Sequence, residues 1–493
     1  MLATLLAPLL ALTPLAATTD ACKRLQRLEL PRVEIERAER LAGRFETPEG
    51  AQIEAPWSCR VRGVARPTPG SRIVFEVWLP DQWNGRFYQL GNGGFAGAIH
   101  HPSLAAETAL GNAAALTDTG HVGDSFDARW ATEAPERIVD YGHRSIKATS
   151  DAAQRLIASY YGRPASRRYF AGCSNGGRQA LMAAQRYPED WDGIVAGAPA
   201  NRWTAQLTTF AALQQQLRRD PATWIAPAKL PAIQRSALAA CPAGTVADGV
   251  ALDPLRCRFD PGRIVCRGRE TDNCLTAAQA QSVRSILRAG YEPASAAAPD
   301  NWARWIINPD PFAPSQLTFA TQAFRFLLRD RADWEVATFD SNRDAASPFM
   351  QRTLDAAAVD LTRFRDRGGR IVSYFGWADA VISPRQHLAY YRSVQRAMGG
   401  PVHTQNFYRL FMVPGMTHCQ GGVGPTSFGQ APVVAPAGRA DAQHDIRRAL
   451  EEWVERGVAP DRLIAGTRPA RDALLRRGRH SRCPVATGLT GRC

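Results

Sequence analysis

Tyr169-Phe170-Ala171-Gly172-Cys173-Ser174-Asn175-Gly176-Gly177-Arg178-Gln179-Ala180-Leu181-Met182 joins an apolar run to a helix-compatible one through glycines on both sides of a single serine. A chain that passes from strand to helix in so few residues must bend sharply at Ser174. Side chains at the flanking glycines would collide with the neighbouring helix and strand, and the bend pushes the serine hydroxyl out of the sheet. The stretch predicts a nucleophile elbow rather than an ordinary glycine-rich turn, because strand and helix flank it in the right order.

Working outward, apolar β-rich runs recur at Ile73–Leu79, Phe87–Leu90, Ala113–Leu116, Tyr169–Ala171, Ile194–Ala196, Ile371–Phe375 and Phe407–Val413. Several are continuous instead of alternating, as in strands buried on both faces. Helical spacing lies between them, at Ser145–Tyr160 and Arg178–Arg186. The alternation predicts an α/β protein with a mostly parallel central sheet, and the elbow makes it an α/β-hydrolase fold. From 203 to 344 the rhythm fails, and four cysteines, many prolines and Trp302, Trp305 and Trp334 appear. This segment is expected to be an inserted lid domain, interrupting a catalytic domain made of residues 20–202 and 345–493. Its Ala/Pro-rich stretch Pro293–Pro299 reads as a surface loop.

With 493 residues, 45% of them hydrophobic, the chain can bury a large core and a sizeable insertion. The net charge of +14 is arginine spread along the chain, without a lysine-rich tail or an aromatic-interleaved basic block, so nucleic acid is not an expected partner. The densest cluster, Arg471, Arg476, Arg477, Arg479 and Arg482, reads as a solvated surface segment. Residues 1–19 hold a leucine-rich run followed by Ala16, Ala17, Thr18 and Thr19, the pattern of a secretory signal peptide, which implies a secreted or periplasmic protein. No later stretch approaches the roughly 20 apolar residues of a membrane span. Ten cysteines in an exported chain predict disulfides. Cys241 and Cys257, Cys266 and Cys274, and Cys483 and Cys493 are locally clustered, which leaves Cys22, Cys59, Cys173 and Cys419.

Ser174 needs a base, and His418 stands out among nine histidines because it follows the apolar run Phe411-Met412-Val413-Pro414-Gly415-Met416-Thr417. That places it on a loop at the carboxyl end of a strand, where such sheets build their sites. Cys419 follows His418 as Cys173 precedes Ser174. A bridge between the two cysteines would set their Cα atoms about 5.5 Å apart and clamp serine and histidine as neighbours. The carboxylate belongs between serine and histidine in chain order, and Asp379, in the turn after the strand Arg370–Phe375, fits better than Asp340, Asp344 or Asp366. Its task is to fix the imidazole tautomer and stabilise the imidazolium. The oxyanion needs two backbone N–H donors: Asn175, after the nucleophile, and the loop Gly91-Asn92-Gly93-Gly94-Phe95, where Gly93 and Gly94 are the candidates.

With these residues in place, the chain resembles the tannase and feruloyl esterase family, whose hallmark is a Cys-Ser, Asp, His-Cys arrangement. It stands here as Cys173-Ser174, Asp379 and His418-Cys419, and the likeness extends over Ala115–His121, Gly172–Gln179, Gln185–Ile194 and Arg409–Cys419. The resemblance implies a lid over the serine and, often, a structural calcium held by an aspartate-rich loop after a cysteine. The matching stretch, Cys241 to Asp253, keeps Asp248-Gly249-Val250 but lacks the earlier aspartates. Asp248, Val250 and Asp253 are the remaining candidate ligands, against the six or more oxygens that calcium takes.

The combined expectation is a secreted serine carboxylesterase, with no cofactor for its chemistry. Its substrate would be a small-molecule ester of an aromatic acid of the feruloyl, galloyl or terephthaloyl type, cleaved through an acyl-enzyme on Ser174. Trp302, Arg304 and Trp305 of the lid are candidate substrate contacts. Two other readings fit the same fold: a peptidase or lactonase, and a secreted binding protein without catalysis. The complete serine, aspartate and histidine set argues against the last. The sequence carries no signal for an oligomeric state.

Overall fold

The computed structural model describes residues 15–295, 297–310, 313–431, 433–434, 439–466 and 484–485. Most of the expected signal peptide, the arginine cluster from Arg471 onward, and Cys483 and Cys493 lie outside them.

Nine strands form one sheet: β1 (Val33–Glu46), β2 (Gln52–Ala65), β3 (Ile73–Pro80), β4 (Arg86–Leu90), β5 (Ala113–Thr117), β6 (Arg167–Cys173), β7 (Gly193–Gly197), β8 (Arg370–Gly376) and β9 (Tyr408–Val413). Their order is β1-β2-β3-β5-β4-β6-β7-β8-β9. From β5 to β9 every pairing is parallel, whereas β1, β2, β3 and β5 pair antiparallel. This is the α/β-hydrolase fold with a mostly parallel sheet.

The continuous apolar runs are explained by a core on each face. Along β6 to β8, Phe170, Ile194 and Ile371 face one side, where Ile146, Leu156 and Leu181 of the helices Ser145–Tyr161 and Asn175–Arg186 cover them. Tyr169, Val195 and Val372 face the other, against Leu104 of helix His101–Ala109 and Leu450 and Trp453 of helix Ile446–Arg456. Each side chain of this size gains about 1.5–3 kcal/mol on full burial, so a strand with two apolar faces is held from both sides.

The β1–β2 hairpin was not among the apolar runs, for a physical reason. Strand β1 is an edge strand in which charged residues alternate with half-buried ones, and the pairing is carried by cross-strand ion pairs such as Arg60 with Glu39, at 2.6 Å and in register. Charge on an edge strand also discourages pairing with another chain. A disulfide from Cys22 to Cys59 ties helix Leu15–Leu25 to β2.

Between Trp203 and Asp344 no strand joins the large sheet. Helices there pack Leu207, Phe210, Ile233, Ile286 and Phe319, with the loop residue Trp334, into a third core, which is continuous with Phe95, Tyr141, Phe375 and Val381 at or beyond the strand ends. The segment is therefore seated on the carboxyl ends of the strands. Two bridges stiffen it, Cys241–Cys257 and Cys266–Cys274. The expectation of a surface loop at Pro293–Pro299 is corrected: residues 293–295 are buried, because Ala294 accepts a hydrogen bond from the Ala251 N–H and Ser295 bridges Val250, and Ala298 opens the helix Ala298–Trp305.

Candidate active site

Ser174 stands between β6 and helix Asn175–Arg186 with φ 63° and ψ −123°, a left-handed conformation that L-residues avoid. Its neighbours enforce the bend. The Ser174 N–H donates to Gly197 O at the end of β7, and Ser174 O accepts from Ala200 and Arg178. A Cβ at Gly172 would lie 2.6 Å from the Gly176 carbonyl carbon, and one at Gly177 would lie 2.2 Å from Gly197 O. Glycine is thus required by the closeness of strand, helix and turn. Backbone strain recurs around the site: Ala96, Thr119, Ser174, Ala198 and Cys419 all have positive φ, and all follow the carboxyl ends of sheet strands.

His418 lies on the loop after β9, and its Nδ1 is 2.7 Å from Oδ2 of Asp379, which lies after β8 and is fully buried. A carboxylate only accepts, so Nδ1 carries the proton and Nε2 is left as the acceptor. The other carboxylate oxygen accepts from the N–H groups of Val381 and Ile382, at 2.8 and 3.0 Å. The two loops are locked together, with Trp377 and Ala378 donating to Val413 O and Met416 O. Three residues of the 203–344 segment hold the Asp379 turn from above. Asn301 donates to Ala378 O at 2.8 Å, Gln316 to Ala380 O at 2.9 Å and Tyr291 to Val381 O at 3.3 Å. None of these three carried a sequence signal, since their partners are main-chain atoms some 64 to 90 residues away.

A disulfide joins Cys173 to Cys419 with a Cα–Cα distance of 5.8 Å, closing a separation of 246 residues. The residues beside these cysteines, Ser174 and His418, are thereby held on facing loops. Opposite them lies the loop after β4. Gly91 abuts the elbow so closely that a Cβ there would be 2.5 Å from Gly176 Cα, and a Cβ at Gly94 would be 2.0 Å from Ser125 O. Gln179, which sequence reading passed over, accepts from the Asn92 N–H at 2.8 Å and so pins this loop to the elbow helix. Among the described residues, the N–H groups of Gly93, Gly94 and Asn175 donate to no protein acceptor.

The candidate substrate contacts separate. Trp302 is buried in the core of the 203–344 segment. Trp305 is half-buried beside Phe126, ring centroids 6.5 Å apart, and the exposed Arg304 lies over its face. Phe126 meets Phe319 at 5.2 Å, and Phe319 meets Phe95, next to Gly94, at 5.4 Å.

The stretch matched to a calcium loop, Cys241 to Asp253, contains a tight hairpin. Val246–Ala247 and Val250–Ala251 pair as a two-residue hairpin, with Asp248 and Gly249 at φ 48° and 75° in its turn. Asp-Gly with two positive φ values is the preferred chemistry of such a turn without any metal. The Asp253 carboxylate caps the Leu255 N–H. Among the described residues no group of three or more His, Cys, Asp or Glu side chains is placed to hold a metal ion. Two carboxylates, one exposed and one engaged, do not fit the calcium donor set. A calcium present at a hundred times its Kd would add about 2.7 kcal/mol, or several degrees of melting temperature. Chelation by EDTA is expected to cause no such drop; a drop reversed by added calcium would overturn this.

A family model for tannase and feruloyl esterase matches residues 59–305 and 292–483. The chain belongs to that family. As a member it is a carboxylic ester hydrolase. It is 40% identical to an uncharacterized esterase of Xanthomonas campestris pv. campestris, over 93% of this chain and 86% of that protein. It is 33% identical to a probable feruloyl esterase B-2 of Aspergillus terreus, over 82% of this chain and 77% of that one. The crystal structure of feruloyl esterase B from Aspergillus oryzae superposes with a TM-score of 0.82 at 27% identity, covering 90% of this chain and 92% of the other.

Proposed function

We propose that this family member is a secreted serine carboxylesterase acting on esters of aromatic acids, with Ser174 as nucleophile, His418 as general base and Asp379 as the residue that orients the histidine. The observation that carries the reading is the His418–Asp379 pair, joined through the Cys173–Cys419 bridge to the strained turn at Ser174. The disulfides fit an oxidising destination, and with it the signal peptide read at residues 1–19. No described helix is long and apolar enough to cross a membrane.

His418 Nε2 takes the Ser174 hydroxyl proton as Oγ attacks the ester carbonyl, and the imidazolium is stabilised by Asp379 across the 2.7 Å hydrogen bond. The oxyanion is received by the N–H of Asn175 together with Gly93 or Gly94, whose donors have no protein partner among the described residues, and by the positive end of helix Asn175–Arg186. The alcohol leaves with the proton from His418. Water, deprotonated by the same histidine, then releases the acid and restores Ser174.

The preference for an aromatic acid is supported by the half-buried pair Phe126 and Trp305, ring centroids 6.5 Å apart, which packs on the buried Phe319 and, through it, on Phe95 beside the glycine loop. Trp305 is the stronger substrate contact of the two tryptophans, since Trp302 is already spent on the core. Because relatives are named feruloyl esterases, we take a feruloyl ester as the first candidate substrate of this chain. Labelling with a serine-directed fluorophosphonate followed by peptide mapping should place the adduct on Ser174. Methyl esters of ferulic, gallic and terephthalic acids, run beside matched amides and lactones, should then rank the ferulate first. An adduct elsewhere, or amides or lactones turned over faster than esters, would overturn the proposal.

The bridge should matter more to catalysis than to folding. A displacement on the order of 1 Å between serine and histidine costs about a hundredfold in rate, so Cys173→Ala with Cys419→Ala is expected to lower kcat by about that factor. Chain entropy sets an upper bound of about 5 kcal/mol on the stability lost with so long a loop. Strand pairing of β6, β7, β8 and β9 around the site should keep the double variant folded at moderate temperature. Full turnover in a folded double variant would remove the clamp from the mechanism.

A further inference from the structure

Arg178 is fully buried in the first turn of helix Asn175–Arg186, and among the described residues it forms no ion pair. Its donors go to neutral oxygens: Nε to Asn175 Oδ1 at 2.7 Å, Nη1 to Gly142 O and Leu354 O at 2.8 and 3.0 Å, and Nη2 to Tyr141 O at 3.1 Å. Asp355, the carboxylate that acts on it electrostatically, is engaged by the N–H and hydroxyl of Thr204. Burying a guanidinium without a counter-ion is costly, and a fold tolerates such an expense mainly where function uses it.

The surroundings point to that use. The guanidinium lies over the Tyr141 ring, 4.9 Å from its centroid, and the equally buried Tyr141 donates its hydroxyl to Gly94 O at 3.0 Å. Tyr141 and Gly142 belong to a π-helical turn, Asp140–Arg144, which presents both carbonyls to Arg178. Widened turns of this kind are frequent at functional sites. The room is made by Gly142, where a Cβ would lie 2.5 Å from Thr353 O.

We propose that Arg178 and Tyr141 are positioning residues that join the two halves of the oxyanion hole: Arg178 fixes Asn175 through its side chain, Tyr141 fixes the Gly93-Gly94 loop through its carbonyl, and the two are stacked and hydrogen-bonded to each other. The inference rests on Ser174 as nucleophile and on those N–H groups as oxyanion donors. A cation close to Asn175 also adds a fixed positive field, in a buried setting where such fields are strongest, at the point where negative charge develops. Burial pushes the Arg178 pKa down, yet a guanidinium remains charged at any working pH.

Tyr141→Phe removes only the hydroxyl on Gly94, and Arg178→Lys keeps a charge but loses the fork that holds Asn175 and the π turn together. Losing an oxyanion donor outright costs about 100- to 1000-fold in kcat. Losing its support should cost less, about 10-fold for Tyr141→Phe and about 100-fold for Arg178→Lys, with KM within about twofold of the parent. An arylboronic acid, which forms a tetrahedral adduct on the serine, should lose affinity by the same factor as kcat/KM. A merely structural staple would instead lower melting temperature and leave kcat and boronate affinity unchanged, which would overturn the inference. If Arg178→Lys does not fold, Tyr141→Phe decides alone. Ser174→Ala run in parallel separates the two layers: turnover retained there defeats the nucleophile reading, whereas an inactive Ser174→Ala beside near-parental Tyr141→Phe and Arg178→Lys defeats only this one.

Discussion

Replacing Ser174 with alanine is expected to lower ester turnover by about a million-fold, the loss seen when a serine nucleophile is removed from an assembled triad. The change deletes one oxygen. Among the described residues that hydroxyl accepts and donates no hydrogen bond, so its removal leaves no buried partner unsatisfied. Alanine meets the same φ of 63° as serine does, so the strain of the elbow is neither relieved nor increased. Melting temperature should therefore stay close to the parent's while kcat collapses, a separation that steady-state kinetics and thermal unfolding read side by side. The residual rate, from oxyanion donors and substrate binding alone, should still exceed water by about a thousandfold. A variant that keeps more than about a hundredth of parental turnover would remove Ser174 from the nucleophile's role.

The parts of this site that sequence makes legible are those in which local chain chemistry dictates the structure. Gly172 and Gly177 beside Ser174 announce a tight turn, and a Cβ at either would lie within 2.6 Å of backbone, at the Gly176 carbonyl carbon and at Gly197 O. Runs such as Ile194–Ala196 are apolar on both faces because helices cover both, so periodicity alone places them in the sheet interior. Strand β1 is hidden for the opposite reason. Its Glu and Arg residues look solvated in one dimension and find partners that are distant in sequence, Glu39 with Arg60 across the hairpin and Arg40 with Asp81. Residues 293–295 look like a loop by composition but are buried by main-chain pairing with Val250 and Ala251, which composition does not encode. Arg178 and Gln179 sit in plain view within the elbow motif. Their burial becomes visible only when helix Asn175–Arg186 is seen to be covered along almost its whole length, so that even its polar side chains turn inward.

Asp379→Asn is expected to lower kcat by about ten-thousandfold with little change in KM, and the hydrogen bonds around the carboxylate say why. Oδ1 accepts from two main-chain donors, Val381 and Ile382, which the turn holds in place. In the variant, the amide oxygen must occupy that position, because an NH2 group there would face two donors. The amide nitrogen is then directed at His418 Nδ1, which has to become an acceptor and carry its proton on Nε2. Nε2 is the atom that must take the proton of Ser174, so the variant presents a filled site where the mechanism needs an empty one. The proposed substrate contacts, in the glycine loop and the 203–344 segment, are untouched, which keeps KM steady. Asp344→Asn supplies the contrast. That carboxylate is as deeply buried, and the hydrogen bond from Arg343 holds its pKa at about 2, but its other hydrogen-bond partners, Trp334 and the Asp340 N–H, belong to the 203–344 segment. Its replacement should lower melting temperature and leave kcat near the parental value. Near-parental turnover in Asp379→Asn together with an inactive but folded Asp344→Asn would move the orienting role to the other aspartate and take the His418 tautomer argument with it.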